Sequence, residues 1–122
     1  MTIRDEIIAL LDTVPALGQR NYSDNAPDNV VSPYTVYKDT ISQTSGLDGD
    51  AHVFWWKWMG QVDLWFALST EDETLLDSVV NALDNAPLSA GRGLAVQSAL
   101  RVSDPLYDAG HTAITLGAVR AR

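Results

Sequence analysis

AHVFWWKWMGQVDLWFAL, residues 51–68, decides the fold of this chain. Taken at every second position, His52, Phe54, Trp56, Trp58, Gly60, Val62, Leu64, Phe66 and Leu68 form a nearly unbroken apolar row, which is the period of a β-strand. The opposite row, Val53, Trp55, Lys57, Met59, Gln61, Asp63, Trp65 and Ala67, mixes charge with large aromatics. A solvent-washed face does not ordinarily carry two tryptophans, so one face is expected to build a core and the other to meet a partner. At about 3.3 Å per residue a straight strand of this length would reach roughly 60 Å, so it is expected to bend, project or break, with Gly60 as the bend or bulge point.

Outward from this strand the pattern is regular. On its N-terminal side, residues 34–41 are β-branched and aromatic and predict a strand with Tyr34 and Val36 on one face and Thr35, Tyr37 and Asp39 on the other. Residues 42–50, SQTSGLDGD, supply turn chemistry, so the two strands are expected to form a long hairpin. On its C-terminal side, Thr70 and Glu73 have capping-box spacing, and Leu75, Leu76, Val79, Val80 and Leu83 make one helical stripe that ends before Pro87. Leu94, Val96, Ser98, Leu100 and Val102 alternate as a third strand, and residues 111–119 offer a fourth with Ile114 and Leu116 on one face. At the start, Thr2 is placed to cap a first helix carrying Ile3, Ile7, Leu10, Leu11 and Val14. Residues 21–33 are rich in Asn, Asp, Ser and Pro and predict an irregular loop without core. The expectation is an α+β fold: a single domain spanning 1–122, with an antiparallel sheet of about four strands and a long projecting hairpin packed against two helices, in the order α-β-β-α-β-β.

Composition narrows the function. The 122 residues contain no cysteine, which excludes disulfides, thiolate metal clusters and a thiol nucleophile. The acidic N-terminal segment does not read as a signal peptide, and Lys57, Gln61 and Asp63 interrupt the one long apolar run, so a soluble chain with no membrane partner is expected. A net charge of −8 disfavours a phosphate-gripping surface. The charge is uneven: residues 1–89 carry four basic and fourteen acidic side chains, whereas residues 90–122 carry four Arg and two Asp. That asymmetry suits copies that meet head to tail, and equally suits an acidic surface that maintains solubility.

No catalytic signature emerges. The two histidines, His52 and His111, each sit near a strand start outside any recognised motif. Asp48-Gly49-Asp50 has part of a calcium loop, but Met59 stands where the bidentate Glu would fall. Glu71-Asp72-Glu73 are the acids a helix N-terminus favours, and the Trp55-Trp56-Lys57-Trp58 cluster lacks the positive charge that base stacking needs. No enzyme activity, metal or cofactor is expected.

Pro33-Tyr34-Thr35-Val36-Tyr37, then Gln61-Val62-Asp63-Leu64-Trp65-Phe66-Ala67, Ser69, the helix with Leu75 and Leu83, and the late Arg101 and Tyr107-Asp108 together resemble the tail-terminator, or tail-completion, proteins of long-tailed bacteriophages. The resemblance implies a small α+β virion subunit without catalysis. It would assemble in the host cytoplasm as a ring, typically hexameric, at the head-tail junction. There it would stop tail-tube growth and offer the tail-tube protein and head-connector proteins a joint through which DNA passes. In such a ring Tyr37, Trp55 and Trp65 would be buried interface anchors, and Lys38, Asp39, Lys57 and Asp63 would set register by charge. Asp48 and Asp50 at the hairpin tip, or Asp24 and Asp28 in the early loop, would line the lumen as carboxylates over which a duplex slides. The alternatives are a head-closure ring of the neck, a monomeric ligand-binding accessory domain whose tryptophan row takes a small apolar or sugar ligand, and a small histidine-based hydrolase.

Overall fold

The computed structural model describes residues 3–47, 53–88 and 93–121. Seven regular elements follow one another: α1 (Ile3–Leu11), β1 (Asn21–Ser23), β2 (Tyr34–Leu47), β3 (Val53–Ala67), α2 (Glu73–Leu83), β4 (Gly93–Asp104) and β5 (Ala109–Ala121). The strands make one sheet in the order β1-β2-β3-β5-β4. The β1/β2 pair is parallel and all others are antiparallel. The α+β expectation holds, with one strand more than the pattern predicted.

The extra strand is β1. It has no apolar alternation of its own and borrows its order from polar bonds. Thr35 Oγ1 donates to Asn21 Oδ1 at 2.7 Å, and Asn21 Nδ2 donates to Asp12 Oδ1 at 2.9 Å. Asn21 and Thr35 are buried, so the segment taken for a coreless loop contributes a satisfied polar layer beside the core. The rest of that segment turns as its composition predicts, with Asp24 and Asn29 at positive φ.

β3 runs unbroken through Gly60. The irregularity sits across from it: Asp39 pairs with Gly60 and Ile41 with Met59, so Thr40 is the extra residue of a bulge on β2. β2 continues past Ile41 to Leu47, so part of the segment read as turn is strand. The hairpin tip around Asp48, Gly49 and Asp50, the His52 position and the proposed Thr2 cap lie outside the described residues.

A second bulge reorganises β4. Val96 pairs with Leu116 but Ser98 pairs with Thr115, leaving Gln97 unmatched. Before the bulge Leu94 and Val96 pack toward the core; after it Leu100 and Val102 sit on the other face. Simple alternation, which places all four together, is wrong for this strand because a bulge inverts the facing of everything that follows it.

Both helices cover one face of the sheet. Ile7 and Leu11 of α1 and Leu75, Val79 and Leu83 of α2 pack with Tyr37, Val62, Leu64, Leu94, Ile114 and Leu116. This is the apolar row that the opening stretch foretold. The cap of α2 differs from the capping-box reading: Thr70 belongs to a short 3-10 turn, Leu68–Thr70, and the N-cap is Asp72, whose carboxylate accepts from Thr74 N at 2.9 Å. The far end of α2 is tied to β4 through Val96 N, which donates to Asp84 Oδ1 at 3.0 Å. No described helix is long and apolar enough to cross a membrane.

Candidate functional site

The face of the sheet away from the helices is organised in cross-strand rows. Tyr34, Trp65, His111 and Val102 are successive partners across β2, β3, β5 and β4; Val36, Asp63, Ala113 and Leu100 form the next row, and Lys38, Gln61, Thr115 and Ser98 the third. The first row is a stack. Trp65 lies 4.4 Å from the His111 ring at 12° and 6.3 Å from Tyr34 at 13°, and Tyr22 on β1 meets Tyr34 edge-on at 6.4 Å. Partial burial raises the Tyr34 phenol above its ordinary pKa.

Asp63 stands in the centre of the second row and is only 4% exposed. A buried carboxylate must find donors. It takes them from its own face, Gln61 Nε2 at 2.7 Å and His111 Nε2 at 3.1 Å, and the Lys38 ammonium 4.0 Å away supplies an opposite charge. His111 thus does two things at once, stacking on Trp65 and bonding Asp63. On the β4 side the face ends in exposed apolar groups, with Leu100 66% and Val102 50% exposed. Together with Leu106 and Tyr107 in the following 3-10 turn, Pro105–Tyr107, they concentrate exposed large apolar side chains at one edge of the molecule.

The residues singled out from the sequence divide. Trp65, Asp63 and Lys38 share this open face. Tyr37 does not: it pairs with Val62, points to the helix side and is fully buried in the core, leaving it no surface for a neighbour. The anchor reading of Tyr37 is therefore corrected; its apolar ring is consumed within the chain, where the Arg4 guanidinium lies 5.9 Å from it. Asp39 pairs with Gly60, Lys57 with Gln43 and Val119, and Trp55 with Ser45 and Ala121, while their side chains lie outside the described residues. Among the proposed lumen acids, Asp24 is exposed but bound to Arg4 at 3.0 Å, Asp28 is exposed, and Asp48 and Asp50 fall outside the described residues. His111, Tyr34, Leu100 and Val102 were not foreseen as members of the face. Parity along β2 pointed to Tyr34, but nothing in the sequence reveals the Gln97 bulge that turns Leu100 and Val102 outward.

A second concavity lies on the helix side, at the N-terminal end of α2. It is a cleft of about 720 Å³ floored by Leu64, Leu75 and Thr112, walled by Phe66 and Leu76, and rimmed by Glu71, Asp72, Glu73, Asp77 and Arg101. Arg101 reaches across it: Nη2 and Nε donate to the two Glu71 oxygens at 2.5 and 3.0 Å, and the guanidinium lies 5.6 Å from the centre of the Phe66 ring. The hydrogen bonds to Glu71 raise the Arg101 pKa, so it stays charged. The bonds from Thr74 lower that of Asp72.

No protein-family model and no curated protein matches the chain. Solved structures do share its fold. A chain in the virion of a native gene transfer agent (GTA) particle superimposes with a TM-score of 0.54 at 12% identity, over 95% of this chain and 84% of that one. A second solved chain, 18% identical, aligns with 100% of this chain and 97% of its own length at a TM-score of 0.48. At such identities the likeness is one of backbone architecture: the α+β fold found here also occurs in a phage-like particle.

Proposed function

We propose that this chain is a structural subunit of a phage or phage-like virion, and that it forms the ring that terminates the tail tube and joins it to the head connector. The observation that carries this reading is the likeness of nearly the whole chain to a chain of the gene transfer agent virion. It agrees with the independent resemblance of the strand and helix motifs to tail terminators.

The sheet supports ring formation physically. β4 is an edge strand of twelve residues, and at the other edge β1 covers only Thr35, Val36 and Tyr37 of β2. β4 runs antiparallel to β2 through the alternating ladders, so β4 of one copy can add to the uncovered part of β2 in the next as an antiparallel pair. Such a contact is heterologous and closes into a ring when the rotation permits. A hexamer is the ring that the resemblance implies. The open face then carries Trp65, Lys38, Leu100 and Val102 into the contact with a neighbour, with Trp55, Asp39 and Lys57 further along the same hairpin. Of the acids proposed to line the lumen, Asp28 is the described one without an ion pair, and Asp24 serves more to tie its loop to α1.

Sedimentation of the chain with and without tail-tube and connector proteins tests this. Ring-sized species, or a stable complex with either protein, is the expected result. The double variant Leu100→Lys, Val102→Lys should fold yet fail to assemble, since both side chains already face solvent. Wild-type chain that binds neither protein overturns the proposal, and rings formed by the double variant overturn the part given to the β4 edge.

A further inference from the structure

We propose that the cleft at the start of α2 is a docking site for an extended segment of another protein that presents an arginine or lysine beside an apolar side chain. The chemistry of the cleft is the same whatever assembly the chain joins.

Its floor is apolar, and its volume of about 720 Å³ lies in the ordinary range of binding clefts. The floor carries one polar exception. Thr112 is 2% exposed and lines the cleft, yet among the described residues its hydroxyl has no hydrogen-bond partner. A hydroxyl on so deeply buried a residue, unpaired within the described chain, is left for water or an incoming group to satisfy. It gives an occupant of the cleft one polar partner on an otherwise apolar floor.

The rim gives the sign of the charge. Among the described residues Arg101 is the one base on the rim, and Glu71 occupies it with both oxygens. Glu73 and Asp77 stand one helical turn apart on α2, both face the cleft, and neither forms an ion pair among the described residues. Like charges at that spacing repel, so the helix carries them at a cost that an incoming cation removes. A guanidinium would bridge them with its planar fork, while an ammonium would sit between them as a point charge.

A protein segment is favoured over a small cation because the turn that exposes Leu106 and Tyr107 is bonded to the residue next to the cleft lining. Asp108, at the end of the turn that exposes Leu106 and Tyr107, accepts from Ser69 N at 2.7 Å and from Ser69 Oγ at 2.6 Å, and Ser69 directly precedes the rim residue Thr70. An occupant long enough to reach both has a charged anchor in the cleft and apolar contacts outside it.

The probes are four pools of amidated pentapeptides, with mixed Ala, Val, Leu and Ile at four positions and Arg, Lys, citrulline or Glu fixed at the centre, titrated into the full-length chain and read by amide chemical shifts. The Arg pool should shift Phe66, Glu73 and Thr112, with the Lys pool close behind. Citrulline, the neutral isostere of Arg, should bind roughly tenfold more weakly, as should the Arg pool toward the Glu73→Gln, Asp77→Asn variant. Thr112→Val, which keeps the shape and removes the hydroxyl, should also weaken binding while leaving the fold intact. Equal binding of the Arg and citrulline pools, shifts confined to Trp65 and His111 on the open face, or no shifts at all would overturn the proposal. Butylguanidinium binding as tightly as the Arg pool would overturn the assignment to a protein segment.

Discussion

Trp65 shows how a single side chain can be half committed. It stacks on His111 and Tyr34 within the chain, and its remaining surface faces outward. Replacing it with Asp removes two aromatic contacts, each worth about 0.5–1.5 kcal/mol, and sets a second carboxylate near Asp63. The expected outcome is a folded chain that is less stable by about 2 kcal/mol in urea unfolding and defective in assembly. Gly110 sits opposite Phe66, and a Cβ there would collide with the Phe66 ring and touch Leu68. Gly110→Ala should therefore cost about 1–3 kcal/mol by thermal or urea unfolding and disturb the Phe66 and Arg101 stack, because the ring has to leave its place. Asp72 supplies a pH test. Hydrogen bonds from Thr74 hold its folded pKa below the unfolded value, so the stability it contributes is complete above the unfolded pKa and is lost as pH falls through the lower folded value. Asp72→Asn, whose side-chain oxygen still caps the helix, should flatten that part of the acid-unfolding curve, and Asp72→Ala should destabilise α2 at every pH.

At the level of elements, what was legible in the sequence depended on whether neighbours in the chain alone decide it. Val62, Leu64 and Phe66 alternate strictly, and their core placement follows from the pleat without knowledge of any partner strand. The stripe of Leu75, Val79 and Leu83 is equally local, since a helix repeats its face whatever lies against it. The readings that changed were set at a distance. Tyr37 faces the core because β2 is registered on Val62. β1 exists because Asn21 can reach Thr35 and Asp12. Leu100 and Val102 face outward because one unmatched residue, Gln97, resets the alternation of β4. Of the open face, the aromatic and charged residues of β3 were visible beforehand, whereas His111 and the β4 residues needed the ladder. The bulge makes its own prediction. Leu100→Lys with Val102→Lys should change unfolding free energy by no more than about 0.5 kcal/mol, as surface substitutions do, whereas a β4 without the bulge would bury both side chains and lose several kcal/mol.

For the molecule as a whole, one face of the sheet is closed by helices, the other is lined by aromatics and a buried acid, and the strand at one end carries a run of exposed apolar groups. That arrangement suits a component of a larger body. The uneven charge adds a condition: if head-to-tail contacts draw on acidic and basic regions, assembly should weaken as salt rises past the point where the Debye length falls below about 8 Å, which sedimentation at increasing ionic strength would show. The strand order also has a temporal meaning. β5 is synthesised after both β3 and β4, yet it lies between them in the sheet. Until residues 109–121 are made, the tryptophan-bearing β3 has one bare flank and β4 has no strand to pair with in the sheet. The nascent chain therefore passes through a stage in which its most adhesive strand is half paired, and its synthesis carries an aggregation hazard that ends only when β5 slides into the gap.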